Sequence, residues 1–225
     1  VGIILKNVNL SWFCHDPLTK NDQQSYAVYL LANFCMPALS GMKPSNLIRA
    51  DKKNINDRAG FLRMLENQTE PFGCGFTVLY EDDGMLLLFI FHRIKIAETL
   101  ACRDNKLFLE ARGYCLEGDA AANAVRKLRK EYEAYQSRSR SVNGRETSPS
   151  EYPHEVGVLL GYPLRDVVDF IRYNGANYII CGYWKVYHDA ENARRIFESY
   201  RQVREITIRN LLAGKKLQDM RNIKY

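Results

Sequence analysis

The stretch CGFTVLYEDDGMLLLFIFH, residues 74–92, limits the possible folds more than any other part of the chain. Phe76, Val78 and Tyr80 recur at period two, Asp83-Gly84 is a turn pair, and MLLLFIF is an apolar run short enough for one largely buried strand. Because side chains alternate across a strand, this pattern predicts a hairpin at or near the centre of a sheet.

The remaining periodicity supplies helices to cover that sheet. YAVYLLANFC predicts a short helix ending before Pro37, and MPALSGMKPSNLIRA, with two prolines and a glycine, predicts a fixed connector. NDRAGFLRMLENQ predicts a helix with Phe61, Leu62 and Leu65 inward. RIKIAETLACRDNKLFLEARGY predicts one interrupted or two short helices, and GDAAANAVRKLRKEYEAYQ a longer one. PHEVGVLLG and PLRDVVDFIRYNG predict two compact helices with Pro153 and Pro163 at their first positions. Leu164, Val167, Val168 and Ile171 form the buried face of the second, and Gly175 ends it. In NYIICGYWKVY, Ile180, Trp184 and Val186 are expected on one strand face, with Cys181, Tyr183, Lys185 and Tyr187 on the other. The longest amphipathic helix follows, opened by Asp189 and stopped by Gly214. The fold class is therefore α/β (or α+β), a compact central β-sheet containing a hairpin, packed by several helices. The expected organisation is a lead-in over 1–25, a single α/β domain over 26–214 with a mobile loop at 137–151, and a basic tail over 215–225.

Composition narrows the functions. With 225 residues, 46% apolar and 26% charged, the chain is large enough to bury a core and is not of disordered type. It carries a formal charge of +6, and residues from Asp189 onward contain nine basic and five acidic side chains, most of that excess. The C-terminal segment is thus the expected anion-facing surface. Six cysteines at 14, 35, 74, 102, 115 and 181, without a CxxC pair, indicate reduced thiols and a cytoplasmic protein, although an even count also permits disulfides. VGIILKNVNLSW is too short and polar at its end to span a membrane and has no basic leader. The phosphate loop GxxxxGK[ST], the dinucleotide turn GxGxxG and the nucleophile elbow GxSxG are all missing, so no cofactor class is singled out.

Several residues have the chemistry of a site. His154-Glu155 begins like the HExxH of a zinc peptidase, but position 158 is valine, so the second imidazole is missing and no metal site is assigned. His154 or Glu155 remains a candidate proton carrier, and Cys35 a candidate nucleophile if its pKa is depressed by a neighbouring base. Lys43 and Lys185 are candidate anion-binding groups, with Tyr183 and Tyr187 orienting the ligand. The opposite readings are a helix start stabilised by Glu155, an inert buried thiol and solvated lysines.

NFCMPALSGMKPSNL, YPHEVGVLLGYPLRDVVDFI and CGYWKVYHD occur in that order. Together they resemble the DUF3793 family of bacterial proteins, found especially among clostridia and related anaerobes, over roughly Tyr26 to Gly214. Cys35, Pro37, Leu39, Gly41, Lys43, Pro44 and Leu47 fit the first family block, whereas Phe34 stands where a histidine is usual, so no role for that histidine transfers. The resemblance brings no activity. It implies a cytosolic protein, sometimes encoded near flavodoxin or iron-handling genes.

The leading expectation is an accessory or binding protein in a redox or metal-associated pathway, meeting an acidic partner such as a flavodoxin-like protein through Arg194, Arg195, Arg201 and Arg204. One alternative is an enzyme acting on a small anionic ligand at Lys43, His154, Glu155 and Lys185, lined or attacked by Cys35. Another is weak nucleic-acid binding, favoured only by the net charge and expected to be minor.

Overall fold

The structure, a computed structural model, describes residues 22–141 and 152–223. The expected lead-in up to residue 21, including Cys14, the part 142–151 of the Ser/Arg-rich loop, and the last two residues of the tail lie outside the described residues. Packing divides the described chain into two compact units. The sheet unit runs to Ile96 and resumes at Glu198; the helical unit is Ala97–Phe197.

The sheet unit opens with α1 (Gln23–Leu30), which Asp22 caps by accepting from Ser25 N at 2.8 Å. It does not end before Pro37. A π-helical turn, Leu31–Cys35, leads from it into α2 (Met36–Leu39), which has Pro37 in its first turn. The connector expected after it contains a strand, β1 (Ser45–Asp51). Then come α3 (Arg58–Thr69), β2 (Cys74–Glu81) and β3 (Met85–His92).

The expected hairpin is β2-β3, and β3 is the middle strand of an antiparallel three-stranded sheet ordered β1-β3-β2. Ser45 pairs with Phe91 and Asp51 with Met85, so β1 runs the full length of β3. A register shift between Val78 and Tyr80 marks a bulge in β2. Leu86 through Ile90 are all buried, as a central strand covered on both faces requires. Leu30, Leu31, Phe61, Leu65, Leu86, Leu88, Ile90 and Val203 form one apolar core, joined by Leu217 and Met220 from the basic tail. The tail thus contributes two core side chains amid its charges.

The helical unit is reached through α4 (Arg93–Ala101) and contains α5 (Arg103–Glu110) and α6 (Ala120–Ser141). Next are α7 (Val156–Leu159) and α8 (Leu164–Arg172). Both begin later than expected: Glu155 and Pro163, rather than residues inside the helices, are their flanking N-terminal positions. Gly157 packs against Val167, where an added Cβ would come within 2.9 Å. The NYIICGYWKVY segment is not one strand but a minimal hairpin, β4 (Ile180–Cys181) and β5 (Lys185–Val186), with Ile180 opposite Val186. Tyr187 is consequently buried rather than grouped with exposed Tyr183. Helix α9 (Ala190–Leu212) follows; Asp189 Oδ1 accepts from Asn192 N at 3.2 Å, as expected of its cap. The architecture is mixed α/β, with the hairpin-containing sheet packed by helices.

Candidate functional site

Each unit has a polar centre set into apolar surroundings. In the sheet unit, the turn after α2 folds back so that Lys43 N donates to Pro37 O at 3.2 Å. Gly41 takes a left-handed φ of 69°, and an added Cβ there would lie 3.3 Å from His92 Nε2, so a larger residue would be both strained and crowded. This turn carries Lys43 inward until its side chain is almost fully buried, with Nζ 5.7 Å from the centroid of the Tyr200 ring. Burial lowers the amine to about 7, opposed in part by the neighbouring Cys35 thiol.

Cys35 is wholly buried, and desolvation drives its thiol well above the ordinary range despite Lys43. Cys74, behind it, is pushed up to about 12 for the same reason. Both are held as thiols at neutral pH, which suits them to line a site and removes the thiolate needed for attack. The π-helical turn also presents Asn33, whose Oδ1 accepts from Arg204 Nη2 at 2.9 Å. Ser40 Oγ is buried without a hydrogen-bond partner among the described residues.

In the helical unit, His154 and Glu155 diverge into different surroundings. The imidazole lies among rings, 5.5 Å from Tyr152 and 5.2 Å from Phe170. Tyr152 in turn meets Tyr135 edge to face at 5.3 Å. Glu155 instead accepts from the Tyr114 hydroxyl at 3.4 Å. Burial raises its carboxyl, with the charge of Glu131 adding to the effect. Lys185 approaches the same Phe170, 5.8 Å from its ring, but its Nζ donates to Gly175 O at 2.6 Å and lies 4.7 Å over Tyr178. It braces the loop between α8 and β4.

The groups that organise this unit are two aspartates absent from the sequence-derived site. Asp166 is 2% exposed. Its Oδ2 accepts from Trp184 Nε1 at 2.8 Å, and its Oδ1 from the backbone amides of Tyr187 and His188 at 2.9 and 3.0 Å. Three donors replace the water a buried carboxylate loses. Asp169, one turn later, binds His188 Nε2 at 2.7 Å and Arg172 Nη1 at 3.0 Å. Trp184 stacks on Tyr162 and meets Phe197 edge-on at 4.6 Å. Gly182 lies so close to Phe197 that an added Cβ would fall 2.2 Å from the ring. Tyr173 stacks on Tyr187, whose phenol burial pushes up to about 12 while its Oη is buried without a hydrogen-bond partner among the described residues. In sequence these aspartates interrupt the apolar face of α8 at a spacing of three, which is the signal that identifies them.

Cys35 and Lys43 therefore belong to the sheet unit, and His154, Glu155 and Lys185 to the helical unit, so neither unit by itself assembles all five. Of the four arginines on α9, Arg194 and Arg195 are exposed, Arg195 lying 3.8 Å from Glu191. Arg201 is held between Glu198 and Glu205, and Arg204 turns to Asn33. Among the described residues, no group of three or more His, Cys, Asp or Glu is placed to hold a metal ion, and no helix is long and apolar enough to cross a membrane.

Neither the curated proteins nor the solved structures contain a match to this chain. The model of one family, described as protein of unknown function (DUF3793), matches residues 31–221, which takes in both polar centres. The chain belongs to the DUF3793 family.

Proposed function

We propose that the protein is a cytoplasmic binding protein that docks an acidic protein partner on the tyrosine-rich hairpin of its helical unit. The observation that carries this reading is the clustering of exposed large apolar side chains. Tyr173, Tyr178, Ile179 and Tyr183 all lie between 173 and 183, and are 39–59% exposed. Isolated exposed apolar residues are ordinary, whereas a cluster rich in tyrosine has the composition of interface anchors.

The platform is preorganised. Asp166 ties β5 and His188 to α8, Lys185 clamps the preceding loop, and Tyr173 and Tyr183 are held against Tyr187 and Phe197. Ordering fixed before contact is not lost again on binding. Exposed Arg172, Arg194 and Arg195, together with the +6 charge of the chain, favour an acidic partner. Flavodoxin-like proteins are the first partner class to test, given the genes that accompany family members and the redox or metal-associated context they imply.

The test is binding of an acidic flavodoxin at low and moderate salt. Tyr178→Ser with Tyr183→Ser should weaken binding about tenfold or more. Arg194→Glu with Arg195→Glu should mainly slow association and reduce its salt dependence. Affinity unchanged in both pairs of variants would overturn the docking reading.

A further inference from the structure

We propose that His188 is a phosphoryl-accepting histidine, which takes the group on Nδ1 from a phosphoramidate donor. Its ring and Arg172 meet on one carboxylate of the helical unit. His188 Nε2 lies 2.7 Å from Asp169 Oδ2, and Arg172 Nη1 donates to the other oxygen, Oδ1, at 3.0 Å. The backbone under the ring is also fixed. His188 N donates to Asp166 Oδ1 at 3.0 Å, and Asp166 is held in turn by the Trp184 indole and the amide of Tyr187.

A nucleophilic imidazole needs a free lone pair, a fixed direction and access. Asp169 is buried, whereas His188 and Arg172 are exposed. A carboxylate can only accept, so Nε2 carries the proton of the neutral imidazole and the lone pair is left on Nδ1. Among the described residues Nδ1 makes no hydrogen bond, and His188 is the only exposed histidine. The two ring nitrogens point apart, so Asp169 orients the nucleophile without standing in the donor's approach. Because the ring is at the surface, the donor reaches it from solvent and no enclosing cavity is required.

The Nδ1 lone pair attacks phosphorus and a nitrogen–phosphorus bond forms. The donor's own nitrogen–phosphorus bond breaks, its protonated nitrogen takes the electron pair, and it leaves as a neutral amine. One bond replaces another of the same kind, and no oxidant or reductant takes part. The ring keeps its Nε2 proton and becomes positive, and the Asp169 carboxylate at 2.7 Å stabilises that charge. Arg172, paired with the same carboxylate, offsets its negative charge and so favours the approach of an anionic phosphoryl group.

The experiment is reaction of the intact protein with potassium phosphoramidate at neutral pH, followed by mass mapping of the modified residue and NMR assignment of the modified ring nitrogen. The native chain should be phosphorylated at His188 about tenfold or more faster than the same chain unfolded in urea, where Asp169 no longer orients the ring. The group should sit on Nδ1, because the carboxylate occupies Nε2. An unconstrained histidine reacts instead mainly at Nε2, the nitrogen farther from its own Cβ. Asp169→Asn, which keeps an acceptor but removes the charge, should slow the native reaction severalfold. Modification of His188 no faster in the native than in the unfolded chain, or on Nε2, would overturn the proposal. A rate and position unchanged in Asp169→Asn would overturn the role given to Asp169. The decisive comparison is made in the wild-type chain, so it does not depend on a variant folding. A small donor suffices, which keeps this test separate from that of partner docking.

Discussion

Asp166 and Lys43 are both ionisable, both nearly fully buried, and surrounded in opposite ways. Asp166 sits at the convergence of an indole N–H and two backbone amides, so its carboxylate is solvated by the protein and fixes the hairpin around it. Lys43 is taken out of water near the Cys35 thiol and the Tyr200 ring, and that desolvation lowers its amine to about 7. Burial alone therefore does not decide whether a group keeps its charge. The number and type of neighbouring dipoles does.

The strongest way to break this comparison is to remove the aspartate. Asp166→Ala leaves three donors without their acceptor and should cost roughly 3–5 kcal/mol, read by urea unfolding. A loss below about 1 kcal/mol would show that the hairpin is held by Trp184 packing instead.

Lys43→Met tests the other side. The amine sits at about 7 in the fold against 10.5 for an ordinary lysine, so the unfolded chain binds more protons between those values. Wild-type stability should accordingly rise with pH through that window, with the penalty fully present below about 7 and removed above about 10.5. The Lys43→Met protein lacks this contribution. Between pH 7 and 8.5 the wild type should gain about 2 kcal/mol relative to the variant. Two parallel stability curves would mean that Lys43 keeps its charge in the fold.

Smaller changes sharpen the boundary of the Asp166 centre. His188→Ala removes the half-exposed partner of Asp169 and should cost only about 0.5–1 kcal/mol, because Arg172 still pairs with that carboxylate. Tyr183→Ser, at the exposed turn of the hairpin, should cost about 0.5–1 kcal/mol through its lost contact with Phe197 while weakening partner docking. A large thermal shift for Tyr183→Ser would move that ring from the docking surface into the fold's own packing.

Some of this was legible in the sequence. The β2-β3 hairpin and α9 carry long periodic patterns that few other arrangements satisfy. β1 was not legible, because SNLIRAD has an arginine in its middle and follows a Gly-Met-Lys-Pro turn; its pairing with β3 makes it a strand. The short β4-β5 hairpin looks like one strand in the sequence because Gly182 is the single local sign of its turn, and the closeness of Phe197 that demands a glycine is a tertiary fact. Cys35, Lys43, His154 and Glu155 stand out in the sequence by their chemistry, whereas Asp166, Asp169, Tyr200 and Asn33 do not. Their partners lie many residues away in the chain.

The sequence by itself determined the mixed α/β class, the central hairpin, the long C-terminal helix and membership of the family. Each depends on periodicity or on ordered blocks of residues, properties written along the chain. Tertiary structure alone decided that the Cys35 thiol is held protonated, that Lys185 braces a loop and that His154 and Glu155 face different neighbours. It also decided that Lys43 is buried beside a ring. Those outcomes depend on desolvation and on the few dipoles within hydrogen-bonding reach, and neither exists until distant segments pack together.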